Sequence, residues 1–203
     1  MFKRLASEAL GLSDIGVIVP TADYNKVDAD DYLFHEDGEK IFFLIKSKKD
    51  EYCFTNFGLI HVDGDSAVSS KRTIRRYDYA AHPITDVKIE TAGTIDMDVE
   101  LKFIFDENVV FSIDVRKSFI EQVKDIYKAL YTIGKMQKRD AHARANALEC
   151  LHVAGSVYKL NSVATDDAIA QQFNTLLNAY NATVMDRFTR RDYAPVFDRY
   201  IHA

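Results

Sequence analysis

The stretch ETAGTIDMDVELKFIF, residues 90–105, sets carboxylates at every second position: Asp96, Asp98 and Glu100 alternate with Ile95, Met97, Val99, Leu101 and Phe103. An Asp-x-Asp pair is one way to hold a divalent ion, so the first question is whether this is a metal site. In an extended strand successive side chains point to opposite faces, which puts the three acids on one face and the apolar residues on a core-facing one. At roughly 3.4 Å per residue, Asp96 and Asp98 stand about 7 Å apart, too far to chelate one ion without a bulge or a second strand. Among the 8 glycines there is no Gly-rich phosphate loop to accompany them. The expected reading is a solvated strand face, with Lys88 and Lys102 as nearby partners worth roughly 0.2–1 kcal/mol per pair. Alternating acids also discourage wrong edge pairing, so the same face can serve an interface.

The basic residues come next. Lys46, Lys48 and Lys49 flank an expected hairpin, while Lys71 and Arg72 open a later strand, and these five are the candidate anion contacts. Asp50, Glu51, Asp63 and Asp65 lie close by in sequence and would mute them. Arg75 and Arg76 project to opposite faces of one strand, so they make no basic stripe for nucleic acid. Lys135, Lys138, Arg139 and Arg144 read as a wet helix face. The six histidines are scattered, and Cys150 and His152 stand two apart, not the three or four that share a helical face. No Cys/His zinc spacing exists. Cys53, between Tyr52 and Phe54, reads as a small hydrophobe pointing into a barrel. No catalytic, cofactor-binding or metal residue is therefore assigned, and a non-enzymatic protein without a cofactor is expected.

Charge and composition narrow the class further. Lys and Arg total 26 against 31 Asp and Glu, a net −5, so there is no general attraction to nucleic acid or an anionic membrane. Any lipid contact would be local and weak. The opening MFKRLASEALGL reads as a short amphipathic helix, because Glu8 and Asp14 interrupt the apolar run a signal peptide needs. The longest apolar runs, such as 41–45, fall far short of the roughly 20 residues that span a bilayer. A hydrophobic content of 47% supports a packed core, and only two cysteines suit a reducing cytoplasm.

Strands with period two are expected at 39–46, 51–55, 58–62, 71–80, 85–90, 94–105 and 109–115, seven in all, joined mostly by short turns that favour antiparallel neighbours. Residues 63–70 read as a longer loop. From Ser118 the period becomes helical: Ser118 and Glu121 have the capping-box form, and Phe119, Val123, Ile126, Tyr127 and Leu130 share a face. Beyond Gly134 a second helix is expected through 148–158, a turn at 161–165, a third helix through 169–188, and a last amphipathic segment at 193–201.

Two sequence features are more specific than topology. Phe54, Thr55 and Asn56 sit at a strand-turn-strand, and the later run from Glu90 to Glu100 reads Glu-Thr-Ala-Gly-Thr-hydrophobic-Asp-hydrophobic-Asp. On both, the region 30–133 resembles the bacterial pleckstrin-homology (PH) domain family, and the remainder is similar to the helical extension of some members. The resemblance implies a mainly β fold with α: a seven-stranded antiparallel curved sheet or barrel, capped by a helix, in residues 1–133, then a helical hairpin in 134–203. It implies an intracellular bacterial protein that self-associates, and it brings no catalytic residues. The chain has no Trp, so the Trp usual in the capping helix of eukaryotic relatives would be replaced by Phe119 or Tyr127.

The third helix carries apolar residues at 169, 173, 176, 177, 180, 184 and 188, more than a small, Ala-rich partner stripe covers. Two coverings are open, the β-domain of the same chain or the same surface of another subunit, and a homo-oligomer with Phe173, Leu177, Tyr180 and Val184 at its interface is expected. Two functions follow: a self-assembling scaffold or protein-interaction module, or a membrane adaptor that binds anionic headgroups through the loop lysines.

Overall fold

The computed structural model describes residues 13–64, 72–91, 98–157 and 166–201. Strands form where β-branched and aromatic residues alternate with polar ones, because that pattern lets one face pack while the other stays wet. They are β1 (Val17–Ile18), β2 (Ile41–Lys46), β3 (Glu51–Thr55), β4 (Gly58–Gly64), β5 (Arg72–Asp78), β6 (Ile84–Thr91), β7 (Asp98–Phe105) and β8 (Val109–Arg116). Among the described residues these strands pair antiparallel, in the orders β1-β2-β3-β4-β5 and β6-β7-β8, and Gly16, just before β1, makes a parallel bridge to Val115 of β8. Seven of these strands match the periodicity; β1 is too short to leave a pattern. It matters for closure, since the Gly16 amide donates to the Asp114 carbonyl (2.7 Å) and the Arg116 amide to the Gly16 carbonyl (3.0 Å), tying the lead of the first sheet to β8.

The sheets face each other across an aromatic core. Phe54 meets Phe103 edge-on at 6.1 Å, Tyr77 stacks on Phe105 at 5.1 Å, and Phe103 stacks on Phe111 at 5.0 Å. The first sheet is also covered on its other face, where Leu44, Cys53, Ile60 and Val62 pack under Val19, Val27, Ala29 and Leu33. Cys53 is therefore buried, but on the face opposite Phe54, beneath the segment that precedes β2 rather than inside the barrel.

Helix α1 (Ile120–Val157) runs without interruption through Gly134, where the sequence pattern predicts a stop. The glycine has another cause: a Cβ there would stand 2.6 Å from the Ile84 carbonyl oxygen, so only Gly allows the helix to lie this close to β6. The face that α1 turns to the core is aliphatic, with Val123, Ile126, Ala129, Leu130 and Ile133 buried. Phe119 and Tyr127 are only partly buried, and Tyr127 stacks on Tyr131 at 6.0 Å instead of entering the core. The aromatic cap comes from α3 (Ala194–Tyr200): Phe197 stacks on Phe42 at 5.1 Å, and Tyr193 meets Tyr79 at 5.6 Å. Glu121 forms no capping box in this arrangement; its carboxylate accepts from Lys124 at 2.6 Å.

The chain divides into two compact units, residues 1–134 with 191–203, and residues 135–190. This differs from the division at 133/134, which assigned everything to the end of the chain to the extension: the last amphipathic segment returns to the β-unit because Tyr193, Val196 and Phe197 complete its core. The second unit holds the later turns of α1 and α2 (Asp166–Asn181), followed by a π-helical segment, Ala182–Arg187. The expected N-terminal amphipathic helix, most of the 63–70 loop and the turn at 161–165 lie outside the described residues.

Candidate functional site

The β3–β4 turn organises a buried, connected polar cluster of the β-unit. Thr55 ends β3, and its hydroxyl accepts the amides of Phe57 (3.1 Å) and Gly58 (3.0 Å), closing the turn. The same hydroxyl donates to Oε1 of Glu39 at 2.6 Å. Asn56 accepts the Lys40 amide at 2.9 Å and donates to the Asp192 carboxylate at 3.2 Å, while its carbonyl takes the Tyr193 amide at 2.9 Å. One side chain thus joins the turn, the start of β2 and the returning C-terminal segment.

Glu39 is the centre of this cluster. Its carboxylate is fully buried and accepts the Phe34 amide (2.9 Å), the Thr55 hydroxyl and a forked pair from Arg76, at 3.1 and 2.8 Å. Buried charge is tolerated only with such complete pairing. Arg76 also donates from Nε to Asp78 at 2.6 Å, and Phe34 lies over its guanidinium at 4.8 Å. Burial alone would pull the Arg76 pKa down, but the hydrogen bonds to Glu39 and Asp78 win and hold it above its ordinary value. Beside this network is a cavity of about 500 Å³ whose walls include Phe34, Phe57, Arg76 and Arg191. The sequence reading missed Glu39, which lies just before the first regular strand; the available signal was Phe-Thr-Asn itself, a turn motif with two side chains able to bond backbone.

Of the five candidate anion contacts the structure describes four, and two of these have carboxylate partners. Lys46 is paired with Glu51, whose carboxylate also accepts the Ala29 amide at 2.9 Å. Arg72 meets Asp28 at 3.6 Å. Lys48 and Lys49 are exposed at the β2–β3 turn, and Lys71 lies outside the described residues. Arg75 and Arg76 do take opposite faces, toward Asp63 and Glu39 respectively.

The acidic ladder follows strand alternation: Val99, Leu101, Phe103 and Phe105 are buried, and Asp98, Glu100 and Lys102 lie on the wetter face. Glu100 accepts from the Ser112 hydroxyl and from Lys102 (2.9 Å), and these bonds hold its carboxyl below the usual range. Lys102 also reaches Glu90 across the strands at 2.7 Å. Burial first, then the charges of Glu100 and Asp98, push the Asp114 carboxyl up. Asp96 lies outside the described residues, and among the described residues no three of His, Cys, Asp and Glu gather as a metal ion would require. His61 stacks on Tyr52 at 4.6 Å and His82 meets Asp106 at 2.5 Å, far apart in the sequence and in different contacts.

On α2, Ile169, Phe173, Leu177 and Tyr180 are 41–63% exposed. Val184, in the π-helical segment, is only partly exposed, and its carbonyl accepts the Thr189 hydroxyl at 2.5 Å.

With this geometry established, the comparisons with known proteins are specific. The model of the family described as Bacterial PH domain matches residues 9–134. The chain belongs to the bacterial PH-domain family. It is 46% identical over 206 residues to Uncharacterized protein YvbH of Bacillus subtilis (strain 168), covering 100% of both chains. It is also similar to the crystal structure of a PH-domain-containing bacterial protein from Exiguobacterium sibiricum 255-15, with 40% identity and a TM-score of 0.81 over 93% of this chain and 100% of the other. The PH-like assignment therefore rests on sequence and on three-dimensional similarity together. No described helix is long and apolar enough to cross a membrane.

Proposed function

We propose that this PH-domain protein is a non-enzymatic, self-assembling scaffold or interaction module of the cytoplasm, and that α2 supplies its self-association surface. The observation that carries this reading is the exposed apolar stripe of Ile169, Phe173, Leu177 and Tyr180. Its spacing, four, four and three residues, keeps the stripe on one helical face. Residues 168–185 contain no Asp, Glu, Lys or Arg, so two copies meet there without like-charge repulsion. An antiparallel pair of these helices also sets opposite ends of the two helix dipoles beside each other. At about 25 cal/mol per Å² of apolar surface removed from water, a few such side chains contribute several kcal/mol before association entropy is counted.

The competing reading, an adaptor for anionic headgroups, has less support among the described residues, where Lys46 and Arg72 already have carboxylate partners and Lys48 and Lys49 remain.

The test is light scattering on the full chain and on Leu177→Asp and Phe173→Asp. An oligomer whose mass falls in both variants, with the circular dichroism of the β-unit kept, is the expected result. Cutting the chain at residue 140 is a poor substitute, because it removes Phe197 from the core. A full-length chain that stays monomeric at high micromolar concentration refutes the proposal. Headgroup-selective binding to phosphatidylcholine vesicles containing phosphatidylglycerol, lost in Lys48→Ala/Lys49→Ala, would favour the adaptor.

A further inference from the structure

We propose that the cavity beside the β3–β4 turn binds a small dipolar molecule carrying a carboxylate and an ammonium on an apolar body, the class to which amino acids with aromatic or large aliphatic side chains belong. This site is separate from self-association through α2 and does not depend on it. The cavity measures about 500 Å³, within the range of small-molecule sites.

Its charged groups differ in how far they are committed. Arg76 is a fixed fork: Glu39 and Asp78 take three of its hydrogens, which leaves a hydrogen on each terminal nitrogen. Arg191 sits on a segment that is itself tied down, because the neighbouring Asp192 carboxylate receives Asn56 at 3.2 Å and the Ala194 amide at 2.8 Å. Among the described residues neither Arg191 nor Asp37 has an ion-pair partner, yet both line this cavity. The site therefore offers one uncommitted cation and one uncommitted anion.

Apolar walls accompany them. The Phe34 ring is 52% exposed although its Arg76 contact holds it in place, and Phe57, Ala80 and Ala81 complete the lining. A ligand body laid against these groups covers apolar surface that water now meets.

The charge balance selects the ligand class. A polyanion is disfavoured, because Arg76 is already matched by two carboxylates and Asp37 would repel it. A simple cation meets Arg191 as well as Asp37. A dipolar ligand answers both: its carboxylate is met by Arg191 and the remaining hydrogens of Arg76, its ammonium by Asp37, and its side chain by Phe34 and Phe57. Charge-assisted hydrogen bonds are the stronger kind, so both ends contribute.

The experiment is calorimetric titration of the full chain with L-phenylalanine, L-tyrosine and L-leucine, alongside 3-phenylpropionate, phenethylamine and inositol hexakisphosphate. Saturable binding of at least one amino acid is expected, with the carboxylate-only and ammonium-only analogues about tenfold or more weaker, the loss of one charge-assisted bond. Arg191→Ala and Asp37→Asn should each weaken binding by about tenfold. Both residues are exposed, so the melting temperature without ligand should not move. The proposal is overturned if none of the three amino acids binds at millimolar concentration, if binding ignores both substitutions, or if the polyanion binds best.

Discussion

Replacing Glu39 by Gln removes a charge while keeping the side chain's shape, and its consequence can be worked from the contacts. The carboxylate accepts four hydrogen bonds, from the Phe34 amide, the Thr55 hydroxyl and two nitrogens of Arg76. Gln presents one accepting oxygen and one NH2, so the NH2 must face donors that now have no acceptor. Removing one member of a buried ion pair costs about 3–5 kcal/mol. Arg76 keeps Asp78 and retains 22% side-chain exposure, which places the expected loss near the lower end, about 3 kcal/mol. For a chain of this length each kcal/mol moves the midpoint by about 2–4 °C, so the β-unit should melt about 6–12 °C lower. Arg76→Met should lose a comparable amount, because it strands the carboxylate. The Glu39→Gln/Arg76→Met double variant should lose less than the sum of its singles, with a coupling of about 0.5–3 kcal/mol. Calorimetric melts of the four chains close the cycle. Single variants within about 0.5 kcal/mol of the parent, or losses that simply add, would refute the view that this pair holds the corner together.

Gly134→Ala should destabilise the β-unit even though Ala favours a helix interior by about 1 kcal/mol, because its Cβ would lie 2.6 Å from the Ile84 carbonyl and overpacking costs about 1–3 kcal/mol; urea denaturation showing a more stable variant would count against that close approach. Burial, with a smaller push from a charge on Cys53, raises the Tyr24 phenol to about 12. The folded chain then keeps a proton that the unfolded chain releases near its ordinary value of about 10, so the contribution is intact below that pH and is lost as pH climbs toward about 12. Tyr24→Phe should therefore flatten the alkaline decline of stability between about pH 10 and 12. The flattening is partial, because burial also raises Tyr52 and Tyr79. Equal slopes in parent and variant would show that Tyr24 is not coupled to folding.

Much of the fold was legible because its cause is local. Alternation is a property of a strand's own residues, so β2 to β8 could be read one at a time, and the buried set of β7, Val99, Leu101, Phe103 and Phe105, is the set its pattern names. The same logic identified the exposed stripe of α2. Short hairpin turns then limited the pairing to antiparallel neighbours, and Phe-Thr-Asn pointed to the family before its bonds were visible.

What only the tertiary structure decided are the contacts between residues far apart in the chain. Gly134 carries the same local signal whether it ends a helix or lets one pass a carbonyl; the proximity of Ile84 decides between them. Two positively charged residues from the expected anion group looked available in sequence, yet Lys46 and Arg72 are drawn to Glu51 and Asp28 by the fold. Phe197 replaces the missing aromatic cap from the far end of the chain, and Asn56 reaches Asp192 to hold that end in place. The Glu39–Arg76 pair likewise joins residues 37 apart in the chain. A sequence states each residue's preference for water, partners and backbone angle, but which distant partner satisfies it depends on chain closure, and closure is a property of the whole packed unit.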